Sequence, residues 1–403
     1  MPADVQITQA ADGTVLIAGE AAGPPFTRAV LDVAGAVLTW PVLGAPGLPT
    51  AEIHDAERAQ QWLWAVYGTR TAAAVHDLVT GTPTGLTVTA EVTPLARRAA
   101  QLALGHWASR WWPASYLDQI PALDPDLTGL ELAARTHECQ QLFDDLDDQP
   151  DGSAAALIED HQVALDPLIR WWRSTAPDSR VDGVVRMIDE AAGNAGLDSE
   201  PLRRLHSALD RHSVPTGTSL DIRALFGPQG EYALAAGDHL DPGGRVIARG
   251  VGTNDWCRYP PGFVDAAENA VSWTVSAVGA ERRIEIDVVA GSANPVDSVR
   301  LAAEVGVNGG PPIRVLLTRR NDVWTGRTNL AIPAAVTPRI EVELLLPGFD
   351  PGGSTGDPAG DLAARDAIRA LARHRLAAAA ADQDTTAEPT LAEIAAAAVD
   401  EDF

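Results

Sequence analysis

The chain has 403 residues, of which 46% are hydrophobic, and a formal net charge of -25 at pH 7. One hydrophobic core does not serve a chain of this length, so two or three domains are expected. The acidity and the lack of a basic cluster argue against nucleic acid and anionic membranes as partners, and no apolar run reaches the ~20 residues of a membrane-spanning helix.

The basic residues set a second limit on function. All 30 of them are arginine, and lysine is absent. Reactions that need a lysine amine are therefore excluded, including those of P-loop nucleoside triphosphatases, protein kinases and pyridoxal phosphate enzymes. Codon and compositional bias is the simplest cause of this absence, and the exclusion holds whatever the cause.

The cellular location is inferred from the N-terminus and the cysteines. The first residues carry no basic stretch followed by an apolar one, so no secretory signal is predicted. Cys139 and Cys257 are the only cysteines, which are too few for a disulfide scaffold. These features predict a cytoplasmic protein with reduced thiols.

The first module, residues 1–92, is predicted to be a small α+β domain. Residues 5–8 and 14–17 alternate in polarity around Ala11-Asp12-Gly13, which is typical of a hairpin. The other elements predicted here are a strand over 29–43, a helix over 52–78 and a strand over 85–89.

The second module, residues 93–215, is predicted to be a central antiparallel helical bundle. Apolar residues recur at helical spacing, with Thr93 as the first N-cap and Pro94 in the first turn. Proline, glycine and aspartate separate the helices by short turns, which favours antiparallel neighbours. The predicted helices are 94–112, 127–146, 153–173, 180–195 and 200–212.

The third module, residues 220–348, is predicted to be an antiparallel β-sandwich, because short alternating stretches follow one another with Gly and Pro turns. The remainder, 349–403, is predicted to be a linker with a tethered helical tail, in which Thr390 and Glu393 form a capping box. Such a tail docks on a partner or folds back on its own protein. The chain is thus predicted to be a multidomain α+β protein.

Tryptophan and arginine are concentrated in the helical module, where Ser109-Arg110-Trp111-Trp112 matches Ile169-Arg170-Trp171-Trp172. Neighbouring residues point about 100° apart around a helix, so one ring of each pair can enter a core while the other faces a groove. Candidate residues for binding an anionic ligand are Arg110, Trp111, Arg170 and Trp172. The alternative, which is favoured because large aromatic side chains are usually core residues, is that the rings fill the bundle.

Two other patterns in this module are candidate metal or catalytic sites. Asp147 and Asp151 fall where a calcium-binding helix-loop-helix places ligands, but Ile158 occupies the position of its bidentate glutamate, which favours a solvated loop. His137-Glu138-Cys139 and His161 lie on neighbouring helices and are catalytic or metal-ligating candidates. Neither helix has the Glu-x-x-His or paired-His spacing of bundle metal sites, and no cofactor is predicted.

The loop at 254–263 is the candidate interaction region of the β-rich module, because aromatic residues and arginine are typical of binding hot spots. The alternative is that these aromatic side chains pin a long connection over the end of the sandwich. The partner-binding candidates are Trp256, Arg258, Tyr259 and Phe263 of this loop and Ile394 and Phe403 of the tail.

These features favour a non-enzymatic adaptor or assembly component of a bacterial multi-protein system, which binds protein partners through the β-sandwich and the C-terminal tail. The modular layout and the failure of each catalytic pattern support this hypothesis. The alternative is an enzyme or a small-ligand-binding protein, metal-dependent or not, with its site in the Trp/Arg-rich helical region.

Overall fold

The computed structural model describes residues 3–19, 23–44, 47–81, 85–143, 153–175, 179–211, 222–226, 245–291, 300–332, 338–349, 357–381 and 388–398. The chain forms two compact units. Unit 1 comprises Met1–Ser109, Leu123–Gly227 and Thr355–Phe403, and unit 2 comprises Arg110–Ala122 and Pro228–Ser354. Helices accompany several antiparallel sheets, which confirms the predicted mixture of α and β structure. Within the described stretches, no helix is both long and apolar enough to cross a membrane.

A six-stranded antiparallel sheet forms the N-terminal part of unit 1. Its strands are β1 (Ala3–Gln9), β2 (Val15–Ile17), β3 (Arg28–Val33), β4 (Ala36–Pro41), β5 (Thr50–Ile53) and β6 (Gly85–Ala90), in the order β3-β4-β5-β2-β1-β6. Val5 and Ile7 are buried while Gln6 between them is exposed, so the sheet buries one face. The predicted hairpin is confirmed, because β1 pairs with β2 and Ile7 lies opposite Ile17.

The predicted strand 29–43 is divided into β3 and β4 by a turn at Gly35. Gly35 has a φ of 74°, and a Cβ atom there would lie 2.3 Å from the Asp55 carbonyl oxygen. Only glycine combines this backbone conformation with such a close approach. Asp55 also caps the next helix, because its side chain accepts hydrogen bonds from the amides of Glu57 and Arg58.

The predicted helix 52–78 is likewise two helices, α1 (Ala56–Tyr67) and α2 (Thr69–Val79), which meet at Gly68 with a φ of 89°. Trp62 of α1 is fully buried and its Nε1 donates to the Ala34 carbonyl at 2.8 Å. α2 packs against β6 and β1. The two helices therefore cover the apolar face of the sheet.

Most of the remaining helices of unit 1 begin at side-chain caps, some of which the sequence predicted. The remaining helices are α3 (Pro94–Trp111), whose last residues belong to unit 2, α4 (Pro125–Glu138), α5 (Ala154–His161), α6 (Leu165–Ser174), α7 (Arg180–Ala195), α8 (Glu200–Asp210) and α9 (Ile222–Phe226). Thr93 caps α3 as predicted, since its Oγ1 accepts from the Ala96 amide at 3.0 Å. The predicted helix 153–173 is divided into α5 and α6, because Pro167 cannot donate to the preceding turn.

The C-terminal helices α10 (Pro358–Ala380) and α11 (Leu391–Ala397) belong to unit 1, which differs from the predicted tethered tail. Leu391 is 0% exposed and lies in the same core as Leu127 and Ile158, with Ile394 packed at its edge. A short helix is marginal by itself and gains stability by burying its apolar face. The described part of the tail therefore folds back on its own protein, as one of the two hypotheses expected.

The described strands of unit 2 form two antiparallel sheets. Its strands are β7 (Arg245–Val251), β8 (Val271–Val278), β9 (Glu281–Val289), β10 (Ala302–Val307), β11 (Ile313–Leu316), β12 (Thr318–Arg320), β13 (Val323–Leu330) and β14 (Ile340–Leu345). One sheet has the order β12-β13-β9-β8-β7 and the other β11-β10-β14. Buried Leu317 lies between β11 and β12, where the chain passes from one sheet to the other. Val288, Val305 and Trp324 share one core, so both sheets bury a face against it.

Candidate functional site

Arg110 and Trp111 lie in unit 2, and Arg110 contacts its loop 254–263. The Arg110 guanidinium stacks 3.9 Å from the Trp111 ring centroid and 5.4 Å from that of Phe349. Its Nη1 donates to the Tyr259 carbonyl at 3.2 Å. Burial lowers the pKa of Arg110. Arg110 therefore attaches segment 110–122 to the loop 254–263, and both belong to unit 2.

The loop 254–263 directs its aromatic side chains into the core. Trp256, Tyr259 and Phe263 are buried, and the Phe263 and Trp324 rings lie 4.9 Å apart. Arg258 pairs with Glu343 at the surface. The arrangement is that of a connection held by its own aromatic residues, which was the alternative to an interaction loop.

A buried aspartate that the sequence did not indicate holds this region together. Asp265 Oδ1 accepts from Ser115 Oγ at 2.7 Å and from the Ala267 amide at 2.9 Å. Its Oδ2 accepts from the Tyr116 amide at 2.6 Å. Burial raises the pKa of Asp265, while these hydrogen bonds act in the opposite direction. Because every donor is part of the fold, we assign the carboxylate a structural role.

The candidate catalytic residues of the helical module are held in separate contacts. His137 Nε2 lies 3.8 Å from Glu190, and His161 Nδ1 lies 3.0 Å from Asp126. Burial raises the pKa of the Cys139 thiol to about 12, so its thiolate is not populated near neutral pH.

Glu138 completes this candidate set. It pairs with Arg135 at 3.1 Å and with Arg98 at 3.7 Å. Within the described ranges, no three His, Cys, Asp or Glu side chains converge in a way that holds a metal ion. The candidates Asp147, Asp151 and Phe403 lie outside the described residues.

Trp172 is also part of the core. It is 1% exposed, and its Nε1 donates to Asp182 Oδ1 at 2.8 Å. Its neighbour Trp171 packs edge-on against Phe226 of α9, with ring centroids 5.6 Å apart. Arg170, one position earlier on α6, is exposed on the other side of the helix. Trp171 and Trp172 are therefore both core residues, whereas Arg170 faces solvent.

Arg170 lines an open groove of about 720 Å³ between α6 and α8. We call it the arginine groove, because five arginines line it against two acidic residues. Its lining residues are Asp166, Ile169, Arg170, Arg173, Glu200, Arg203, Arg204, Ser207 and Arg211. Guanidinium groups present paired donors that match carboxylate and phosphate oxygens, so this set of side chains is suited to bind an anion.

Two of the five arginines have carboxylate partners in the groove. Arg204 Nη2 lies 2.9 Å from Asp166 Oδ2 and bridges the two helices. Arg203 pairs with Glu200 at 2.7 Å and with Asp198 at 3.0 Å. These pairs are solvent-exposed, so they contribute little to stability.

The other three arginines have no carboxylate partner among the described residues. Arg170 and Arg173 are exposed on α6, three positions apart and therefore on one helix face. Arg211 donates from Nε to the Ser207 carbonyl at 2.7 Å, which leaves its two terminal nitrogens. The groove thus presents three uncompensated positive charges in a chain of strongly negative net charge.

A second cavity lies beside the N-terminus of α11 and is lined by Gln101, Glu131, Arg135 and Thr390 among others. Its volume of about 20 Å³ holds about one water molecule. Glu131 Oε2 accepts the Leu391 amide at 2.6 Å, and Arg135 lies 3.5 Å from Glu131 Oε1. This cavity belongs to the packing of α11 and does not accommodate a larger ligand.

Sequence reasoning identified one member of the arginine groove, Arg170, and missed the others. The available signal was helical spacing: Arg204, Ser207 and Arg211 lie on one face of a predicted helix. The nearby sequence does not show which other helix this face packs against.

In comparisons with known proteins, no family model, curated protein or solved structure matches the chain.

Proposed function

We propose that the protein is a non-enzymatic adaptor of a bacterial cytoplasmic assembly, and that it binds an anionic segment of a partner protein in the arginine groove. The observation that carries this proposal is the set of three arginines in the groove that lack carboxylate partners among the described residues. The proposal keeps the adaptor hypothesis, but it places the partner site in the Trp/Arg-rich helical region instead of the β-sandwich and the C-terminal tail.

The openness of the groove supports a protein segment over a small molecule. Small-ligand pockets enclose most of the ligand and are lined largely by apolar side chains. In the arginine groove, Ile169 is the apolar residue among charged and polar ones. Arg204 and Arg211 are seven residues apart, or about 10 Å along a helix, which is the span of a few extended residues.

The environment of the other candidates supports a role in binding over catalysis. The Cys139 thiol is buried with a pKa near 12, and neither His137 nor His161 lines the groove.

In this proposal, the two sheets of unit 2 form a β-sandwich and the helices of unit 1 form a bundle. Both serve as scaffolds, since Trp256, Tyr259 and Phe263 are core residues and Ile394 packs at the edge of the core.

Fluorescence anisotropy with a labelled oligoglutamate peptide tests the proposal. The double variant R170Q/R173Q removes two exposed contacts of up to about 1 kcal/mol each, so roughly tenfold weaker binding is expected. Binding should also weaken with added salt. The matched control R70Q/R97Q removes two exposed arginines of unit 1 outside the groove and should bind as the unmodified protein does. Equal losses in both double variants would mean that net charge, not the groove, determines binding.

A further inference from the structure

We infer that the arginine groove recognises a phosphorylated serine or threonine side chain within the partner segment. This inference rests on the proposed function and names the anion. The three arginines without carboxylate partners among the described residues, Arg170, Arg173 and Arg211, all line one groove. A phosphate monoester carries nearly two negative charges at neutral pH and three acceptor oxygens, so one such group can contact several guanidinium groups.

The carboxylates already present in the groove argue for this ligand. Asp166 and Glu200 lie in the same groove, yet they pair with Arg204 and Arg203 and leave the other three arginines unmatched. A partner carboxylate adds one charge to a site that holds three uncompensated ones. A phosphate matches that charge more closely at one position, and its hydrogen bonds to arginine are short and paired.

The net charge of the protein points to the same ligand. A chain with a net charge of -25 opposes the binding of a segment whose negative charge is spread over many carboxylates more than it opposes one whose charge lies at the point of contact. A single phosphate concentrates the charge at the point of contact and adds little repulsion elsewhere. Phosphorylation then distinguishes the partner from the acidic surfaces of other proteins, which is a condition for specificity.

The inference also depends on the basic residues of the groove being arginine and not lysine. Arginine binds phosphate through two parallel N–H donors, whereas lysine acts as a point charge. The variant R170K/R173K keeps both charges and removes the paired geometry. If phosphate recognition depends on that geometry, the lysine variant binds more weakly than the unmodified protein although the charge is unchanged.

The test compares three peptides of one sequence that carry serine, glutamate or phosphoserine at the central position. We expect the phosphoserine peptide to bind roughly tenfold more tightly than the glutamate peptide, and the serine peptide to bind least. R170Q/R173Q and R211Q should remove this preference, and R70Q/R97Q should keep it. The preference should also decline below about pH 6, where the phosphate takes up its second proton.

The outcomes separate this inference from the proposed function. Equal binding of the glutamate and phosphoserine peptides would overturn the phosphate inference and leave the acidic-segment proposal intact. Failure of both peptides to bind would overturn both. Tighter binding to phosphoinositide vesicles than to the phosphopeptide, or inorganic phosphate binding as tightly as the peptide, would also overturn the inference. Far-ultraviolet circular dichroism of each variant verifies folding, which these exposed positions should not disturb.

Discussion

Replacing Asp265 by alanine tests whether a buried carboxylate joins segment 110–122 to the sheets of unit 2. Asp265 is 1% exposed, and its Oδ1 accepts from Ser115 Oγ and the Ala267 amide, at 2.7 and 2.9 Å. Ser115 and Ala267 are also buried, so the alanine variant leaves two donors without an acceptor. Each buried unsatisfied donor costs about 1–3 kcal/mol.

Two further effects refine this magnitude. Tyr116 and Leu117, whose amides donate to Oδ2 at 2.6 and 3.4 Å, have exposed side chains, so we expect water to replace the carboxylate there at little cost. Removing a carboxylate whose pKa is raised by burial recovers part of its desolvation cost. The net expectation for Asp265→Ala is a loss of about 3 kcal/mol from the free energy of unfolding of unit 2.

Asp265→Asn is the matched control. An asparagine carbonyl in the place of Oδ1 still accepts from Ser115 and Ala267, and only the Oδ2 contacts are replaced by an amide donor. The expected loss is about 1 kcal/mol. Hydrogen exchange of amides 114–118 and 265–270, together with urea unfolding, measures both variants. Equal losses in the two variants, or unchanged protection in Asp265→Ala, would refute the division of the contacts between the two oxygens.

Three other predictions address unit 1. Glu393→Gln breaks the buried pair with Arg375 and should destabilise the unit by about 3 kcal/mol in urea unfolding, whereas the apolar pair R375L/E393L should recover most of it. Gly35→Ala should cost more than Gly196→Ala, since both have positive φ and only Gly35 has a close neighbour; equal melting temperatures would contradict this. A hydrogen bond to Asp189 raises the pKa of His206, so its stabilisation is present below about pH 6.5 and is lost as pH rises through the higher folded pKa. His206→Gln should therefore lower the melting temperature at pH 5 and not at pH 9.

The parts of the fold that the sequence predicted are those set by nearby residues. The hairpin of β1 and β2 follows from a turn and two alternating strands, and Thr93 caps α3 three residues away. The divided elements at Gly35 and Pro167 carried their own signals, a glycine and a proline inside a periodic stretch. The regular spacing of apolar residues continued on both sides of the glycine and of the proline, and this spacing favoured one undivided element in each case.

The contacts that the sequence did not predict join distant residues. Ser115 and Asp265 are 150 positions apart, and Glu131 and the Leu391 amide are 260 positions apart. The two Arg-Trp-Trp stretches have the same letters and different environments: Arg110 stacks on Trp111 and bonds to Tyr259, whereas Arg170 faces a groove. Periodicity gives the face of a helix, and only the tertiary arrangement gives what that face meets.

The excess of acidic residues is what makes the arginine groove informative. With 55 acidic residues against 30 arginines, carboxylates are plentiful enough to pair every arginine. Some arginines elsewhere are paired in this way, as in Arg314 with Glu304 and Arg327 with Glu285. Compositional bias explains why all the basic residues are arginine, but it does not explain why three of them in a single groove lack a carboxylate in the part of the chain that the structure describes. The positive charge of these three arginines is therefore available to an anionic ligand. A phosphate, with nearly two negative charges and three acceptor oxygens, suits them better than a single carboxylate does.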